Sequence, residues 1–175
     1  MSETIAANRN SYQQPGEPAQ KQGAGSQADA TPSADVRPAD AASRNETLNP
    51  ECFVCGGENP NGLHLDFQAD GQRASAAWTA RAGWESYKGV IHGGILSSVL
   101  DEAMAKAIIS GGDQGFTADL RIRFRKKVSV DELVFVKGWV VSAEKRRILA
   151  EASITSAEGE EKAHAWGVFL TARHS

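Results

Sequence analysis

The residues best equipped for chemistry lie in Gly89-Val90-Ile91-His92-Gly93-Gly94 and in the segment that follows, Ile95 to Ser110. Two adjacent glycines, with a third just upstream, stand where an apolar, alanine-rich helix begins. Inside a helix a glycine costs about 1 kcal/mol relative to alanine. At a helix start it instead lets another molecule come close to backbone N–H groups that have no intrahelical acceptor. Those groups carry partial positive charge and suit an anion or a polarised carbonyl oxygen. Two turns further on stand Asp101 and Glu102, carboxylates in an otherwise apolar and small-residue stretch. A donor-rich helix mouth followed by an internal carboxylate is the layout of an acyl-transfer site.

Periodicity alone does not choose between the two carboxylates. Leu96, Val99, Leu100, Ala103 and Ala107 recur at the helical period and define the buried stripe. Both acids fall well off its centre. Glu102 and Lys106 are spaced i, i+4, which gives Glu102 an ordinary role as half of a weak exposed pair. Asp101 has no such partner and lies nearer Met104 and Ile108.

A second chemical candidate is Cys52-Phe53-Val54-Cys55-Gly56, followed by the turn Asn59-Pro60-Asn61-Gly62. Two thiols at this spacing are half of a structural zinc site, which needs four ligands. The only neighbouring candidate in sequence is His64, so the expectation is a small buried hairpin with reduced thiols and no metal. A redox role lacks the surrounding βαβ unit. His64 falls on the polar side of an alternating segment and reads as solvated. His164 shares a strand face with Trp166 and reads as a satisfied structural histidine.

The elements that must position these groups follow from patterning. Leu63 to Gln68 alternates as a half-buried strand, and Arg73 to Ala80 reads as a second, joined through Asp70-Gly71. A loop containing Trp84 and Tyr87 leads to the helix, which Gly111-Gly112-Asp113 closes. Strands follow at Thr117 to Lys127, Leu133 to Val141, Arg147 to Thr155 and Lys162 to Ala172, with hairpin-length connections. One long helix among consecutive strands predicts an α+β fold with an antiparallel sheet. The helix is too apolar to lie outside, so the sheet is expected to wrap around it.

Residues 1–48 are of another kind. Only Met1, Ile5, Tyr12, Val36 and Leu48 are apolar and larger than alanine, and the stretch holds four of the six prolines. Such a segment cannot bury enough surface to offset its conformational entropy and is expected to be a disordered tail before a domain over 49–175. The net charge of −3 gives no cause for wholesale nucleic-acid or membrane attraction. No apolar run approaches the ~18 residues of a membrane span. The N-terminus has neither the basic start and apolar core of a secretory signal nor the acid-poor character of a transit peptide, which predicts a cytoplasmic protein.

Over roughly residues 51–172 the chain resembles the hotdog-fold acyl-CoA thioesterases, in particular the phenylacetate-pathway and Them-type branch. The resemblance rests on Gly89-x-x-His92-Gly93-Gly94 with Asp101 nine residues beyond the histidine. It rests also on Thr117-Ala118-Asp119-Leu120 opening the next strand, and on the Cys-x-x-Cys-Gly and Asn-Pro-x-Gly-Leu entry. It implies a hotdog fold, an antiparallel sheet around one long central helix, and hydrolysis of an acyl-CoA thioester without a cofactor. The N–H of Gly93 or Gly94 would polarise the thioester carbonyl. Asp101, contributed across a dimer interface, would act as general base on water or as nucleophile. Thr117 would help position the water, and His92 would orient the loop. The implied assembly is a homodimer or homotetramer.

The chain departs from the family in carrying Ser86 where several relatives have an asparagine that contacts the substrate carbonyl. It also carries Arg125-Lys126-Lys127 where relatives often show Arg-Pro. These cations, with Lys145, Arg146 and Arg147, could meet the CoA phosphates or form a solvated rim. A different class stays open, a hotdog that binds acyl-CoA as a sensor or assembly unit without turning it over. The retained Asp101 argues against it. A hotdog dehydratase requires other spacings of histidine and carboxylate.

Overall fold

A computed structural model describes residues 49–171; the expected tail over 1–48 lies outside the described residues. In chain order the elements are β1 (Gln68–Asp70), β2 (Arg73–Thr79), β3 (Glu85–Tyr87), β4 (Val90–Ile91), α1 (Gly93–Ser110), β5 (Gly115–Phe124), β6 (Leu133–Glu144), β7 (Arg147–Ser156) and β8 (Glu161–Thr171). Six strands form one sheet in the order β1-β2-β6-β7-β8-β5, every neighbouring pair antiparallel. The sheet curls around α1, which is the hotdog arrangement expected from the sequence.

The helix buries the stripe read from its period. Leu96, Val99, Leu100, Ala103 and Ala107 are all buried, joined by Met104 and Ile108. From the sheet side, Ala74, Ala76 and Trp78 of β2, Val134 and Val136 of β6, Ile148, Ala150, Ala152 and Ile154 of β7, and Ala163, Ala165 and Phe169 of β8 complete the core. The alternation along each strand puts one face on α1 and leaves the other outward. Contact at the centre is close. A Cβ on Gly138 of β6 would stand 2.2 Å from the carbonyl oxygen of Ala103, so only glycine admits the helix backbone there.

Two segments differ from their sequence reading. Leu63, Leu65 and Phe67 are buried and His64, Asp66 and Gln68 exposed, as the alternation requires, yet the sheet takes up only Gln68–Asp70. The Leu63 and Leu65 N–H groups instead bond to the carbonyls of Phe53 and Val54, and His64 adopts φ 53. This stretch therefore pairs with the cysteine turn and not with the sheet. The region before α1 is not a plain loop either. β3 and β4 form a two-stranded sheet with a register shift between Glu85 and Tyr87.

That small sheet fixes the start of α1. His92 donates its N–H to Trp84 O at 2.8 Å, and the Ile91 N–H reaches Val128 O at 2.9 Å. The N-terminus of α1 is thereby tied both to Trp84, just before β3, and to the segment that follows β5. β5 is the last strand of the sheet, and its far edge has no partner strand among the described residues. Phe116 and Phe124 on it are 77% and 50% exposed.

Candidate active site

His92 is the N-cap of α1, extended at φ −63 and ψ 133. Its ring Nδ1 accepts the Gly94 N–H at 2.8 Å. The Ile95 and Leu96 N–H groups both turn back to the His92 carbonyl, at 3.0 and 3.2 Å. Of the two glycine N–H groups expected to receive a carbonyl oxygen, that of Gly94 is therefore already occupied. The Gly93 N–H has no acceptor among the described residues. Because Nδ1 accepts, the proton of the neutral ring sits on Nε2. His92 shapes the helix mouth through this cap.

Gly93 opens onto a groove of about 310 Å³ lined by Ile91, Gly93, Leu96, Phe124, Arg125, Lys126, Lys127 and Val128. Of the cations expected to meet phosphates, Arg125, Lys126 and Lys127 line this groove beside the helix mouth, whereas Lys145, Arg146 and Arg147 do not. The three that line it are not equally available. Arg125 pairs with Glu161, and Lys126 stands 3.4 Å from Glu160. Lys127 has no carboxylate partner among the described residues. Ser86 lies exposed at the β3 irregularity and is not among the residues lining the groove.

Asp101 lies two turns along α1, half-buried, and its Oδ1 accepts the Thr117 hydroxyl at 2.8 Å. Sixteen residues separate the pair, and the open-edge strand β5 brings them together. Burial pushes the Asp101 carboxyl above its ordinary value of 3.8, the Thr117 hydrogen bond offsets part of the rise, and the neighbouring Glu102 charge adds to it. A half-buried carboxylate more basic than usual suits proton abstraction or attack.

Glu102 is not the exposed half of a weak pair. The Lys106 side chain is only 4% exposed, with its Nζ 3.4 Å from Glu102 Oε1. Cys55 Sγ donates to the same oxygen at 3.0 Å, and Cys52 Sγ approaches Oε2 at 3.7 Å. The i, i+4 rule sees only the helix's own surface, and the cysteine turn covers that part of it. Both thiols are free. Burial, reinforced by the Glu102 carboxylate, pushes the Cys55 thiol up to about 12.

The other histidines behave as read from the sequence. His64 is exposed, with its Nδ1 3.0 Å from Gly56 O. His164 stands between Glu151 and Glu161, 3.2 Å from each. The aromatic and aliphatic lining of the groove (Ile91, Leu96, Phe124 and Val128) was not singled out by sequence reasoning. The exposed-side position of Phe124 on an apolar edge strand was the available signal.

The architecture defines a hotdog domain, and residues 88–163 match the family model of the thioesterase superfamily. No curated protein matches the chain. Among solved structures it is similar to the thioesterase superfamily protein RHA08564, at 24% identity and a TM-score of 0.66, over 69% of this chain and 60% of that one. The chain thus spans less than two thirds of that relative's length. It is similar also to the Streptococcus mutans protein smu.793 bound to acetyl CoA, at 17% identity and a TM-score of 0.60, over 62% of this chain and 88% of that one. The PaaI protein of the Escherichia coli phenylacetic acid degradation operon aligns at 22% identity and a TM-score of 0.59, over 62% of this chain and 83% of that one. At these identities the likeness is one of fold. Among the described residues no helix is long and apolar enough to cross a membrane.

Proposed function

We propose that the protein is an acyl-CoA thioesterase that acts as a homodimer, cleaving the thioester to a free acid and CoA. The observation that carries this reading is the pairing of a half-buried, hydroxyl-held Asp101 with an unoccupied Gly93 N–H at the mouth of the same helix. The Gly93 N–H receives the thioester carbonyl oxygen and stabilises the charge that develops on it. Asp101 in its ionised form takes a proton from water or attacks the carbonyl carbon, and Thr117 holds the carboxylate for either route.

One subunit cannot supply both groups to one substrate. Eight residues of helix rise separate Gly93 from Asp101, about 12 Å, whereas both must lie within ~3 Å of the reacting atoms. β5 offers the remedy. Thr117 and Asp101 meet at one end of it, and Phe124 touches the Gly93 position at the other. Antiparallel pairing of β5 with its own copy about Leu120–Arg121 sets Thr117 of the partner subunit opposite Phe124. Asp101 of the partner subunit is then carried toward the Gly93 mouth, and an exposed apolar edge is closed. The groove beside Gly93 takes the acyl-CoA, with Lys127 free to meet a phosphate oxygen. The neighbour of this fold that binds acetyl CoA supports that class of ligand.

The test is hydrolysis by the full chain over short, medium, long and aromatic acyl-CoAs, followed by release of free CoA thiol. Saturable turnover of at least one class is expected. Binding across the panel with no thiol released would replace the hydrolase with a non-catalytic acyl-CoA-binding module.

A further inference from the structure

The cysteine turn and α1 together build a second chemical site that the hydrolytic machinery does not use. Cys52 Sγ, Cys55 Sγ and a Glu102 carboxylate oxygen all lie within 4.8 Å of one another. Two thiols alone are too few for a metal, and the neighbouring sequence offers only His64 as a third ligand. The structure brings Glu102 instead, from 47 positions beyond Cys55. His64, the candidate the sequence offered, directs its Nδ1 to the Gly56 carbonyl. We propose that Cys52, Cys55 and Glu102 form a binding site for a borderline-soft divalent cation of the zinc class, with water in the fourth position.

The spacing is within reach of such an ion. Zn–S bonds of about 2.3 Å and Zn–O bonds of about 2.0 Å at the tetrahedral angle put sulfur and oxygen ligands roughly 3.5 Å apart. Cys55 Sγ lies 3.0 Å from Oε1 of Glu102 and Cys52 Sγ 3.7 Å from its Oε2, and one oxygen of the carboxylate is within 4.8 Å of both sulfurs. The turn is rigid enough to hold them. The Gly56 N–H bonds to Cys52 O at 2.9 Å, and a Cβ on Gly56 would stand 2.4 Å from Cys52 N and from Pro50 O. The chain can close this tightly around the thiols only with glycine at that position.

Charge favours the same reading. Two neutral thiols, one carboxylate and the Lys106 ammonium 3.4 Å away sum to zero. A dication that displaces the two thiol protons leaves two thiolates, one carboxylate, the metal and Lys106, which also sum to zero. The half-buried cluster exchanges two protons for one cation without any change in net charge. A dication normally raises the charge of a site it enters, and this cluster avoids that cost. The ion would tie the cysteine turn to α1 at the residue next to Asp101.

The experiment uses the reduced full-length chain, purified without a histidine tag and stripped with chelator. Zinc is titrated in competition with a chromophoric chelator, proton release is followed in weak buffer, and cobalt(II) reports the ligands. The proposal expects one metal per chain and two protons released. It expects tetrahedral cobalt bands with thiolate charge transfer, and a melting temperature that rises with zinc. Glu102→Gln should raise the dissociation constant at least ~10-fold, and Cys55→Ser should abolish the thiolate band. Should a variant fail to fold, alkylation of the wild-type thiols decides the matter, since zinc should protect both. Protection of neither thiol, octahedral cobalt without thiolate bands, or equal affinity in wild type and Glu102→Gln would overturn the site.

Discussion

Replacing Gly93 with proline removes one N–H group and little else. Gly93 is the first residue of α1, where a proline is well tolerated because no intrahelical bond is lost. His92 before it already holds φ −63 and ψ 133, the extended conformation that a following proline demands. A side chain at 93 would meet the Phe124 ring at 3.5 Å, an ordinary contact. Stability should therefore hold, or rise by up to about 1 kcal/mol through the stiffer unfolded chain. Activity should not hold. Loss of a single oxyanion donor costs on the order of 10²–10³-fold in turnover. The shared site makes a sharper claim still. Gly93→Pro and Asp101→Asn subunits, each inactive alone, are unfolded together in equal amounts and refolded. Half of the dimers are then mixed, and each mixed dimer keeps one of its two sites whole, so roughly 25% of wild-type turnover should return. Free CoA thiol is the readout. No recovery, with mixed dimers demonstrated by mass, would refute the two-subunit site.

Three further outcomes follow from the contacts around α1. On the proposed mechanism turnover needs ionised Asp101, so the acid limb of the pH–rate profile should have its midpoint above 3.8, in the direction burial moves this carboxyl. Thr117→Val removes the donor that favours the ionised form and should move that limb to higher pH as well as slowing turnover. Glu102→Gln leaves the buried Lys106 ammonium without its counter-charge, 4% exposed, and should lower stability by about 2 kcal/mol, read as a melting-temperature loss of roughly 5–10 °C. An unchanged melting curve would return Glu102 to the role of a surface acid.

What could be read from the sequence divides along physical lines. Leu96, Val99, Leu100, Ala103 and Ala107 repeat with the helix, and Ile148, Ala150, Ala152 and Ile154 with a strand, so each announces a buried face by local period alone. The same logic fails for Glu102. Its neighbours Cys52 and Cys55 are fifty and forty-seven positions away, and only the turn's packing on α1 creates the contact. Leu63 to Phe67 shows why alternation underdetermines pairing, since the buried face was right and the hydrogen-bond partners were not. Asp101 and Thr117 were brought together by a family resemblance and not by periodicity, which left both carboxylates open. His92 as a cap escaped notice because caps are usually Ser, Thr, Asp or Asn. Its ring occupies the Gly94 N–H, and the Gly93 N–H is left without an acceptor among the described residues.

The most direct test of the central claim is Asp101→Asn, measured for both turnover and stability. The amide keeps the shape and can still accept the Thr117 hydroxyl, but it can neither deprotonate water nor attack. A carboxyl whose folded pKa lies above its unfolded value is destabilising once pH exceeds both, so at neutral pH the neutral amide should leave the melting temperature unchanged or raise it. The account predicts acyl-CoA hydrolysis reduced on the order of 10²-fold or more, at dimer mass and undiminished melting temperature. Hydrolysis at the wild-type rate by a folded, dimeric Asp101→Asn protein would contradict it.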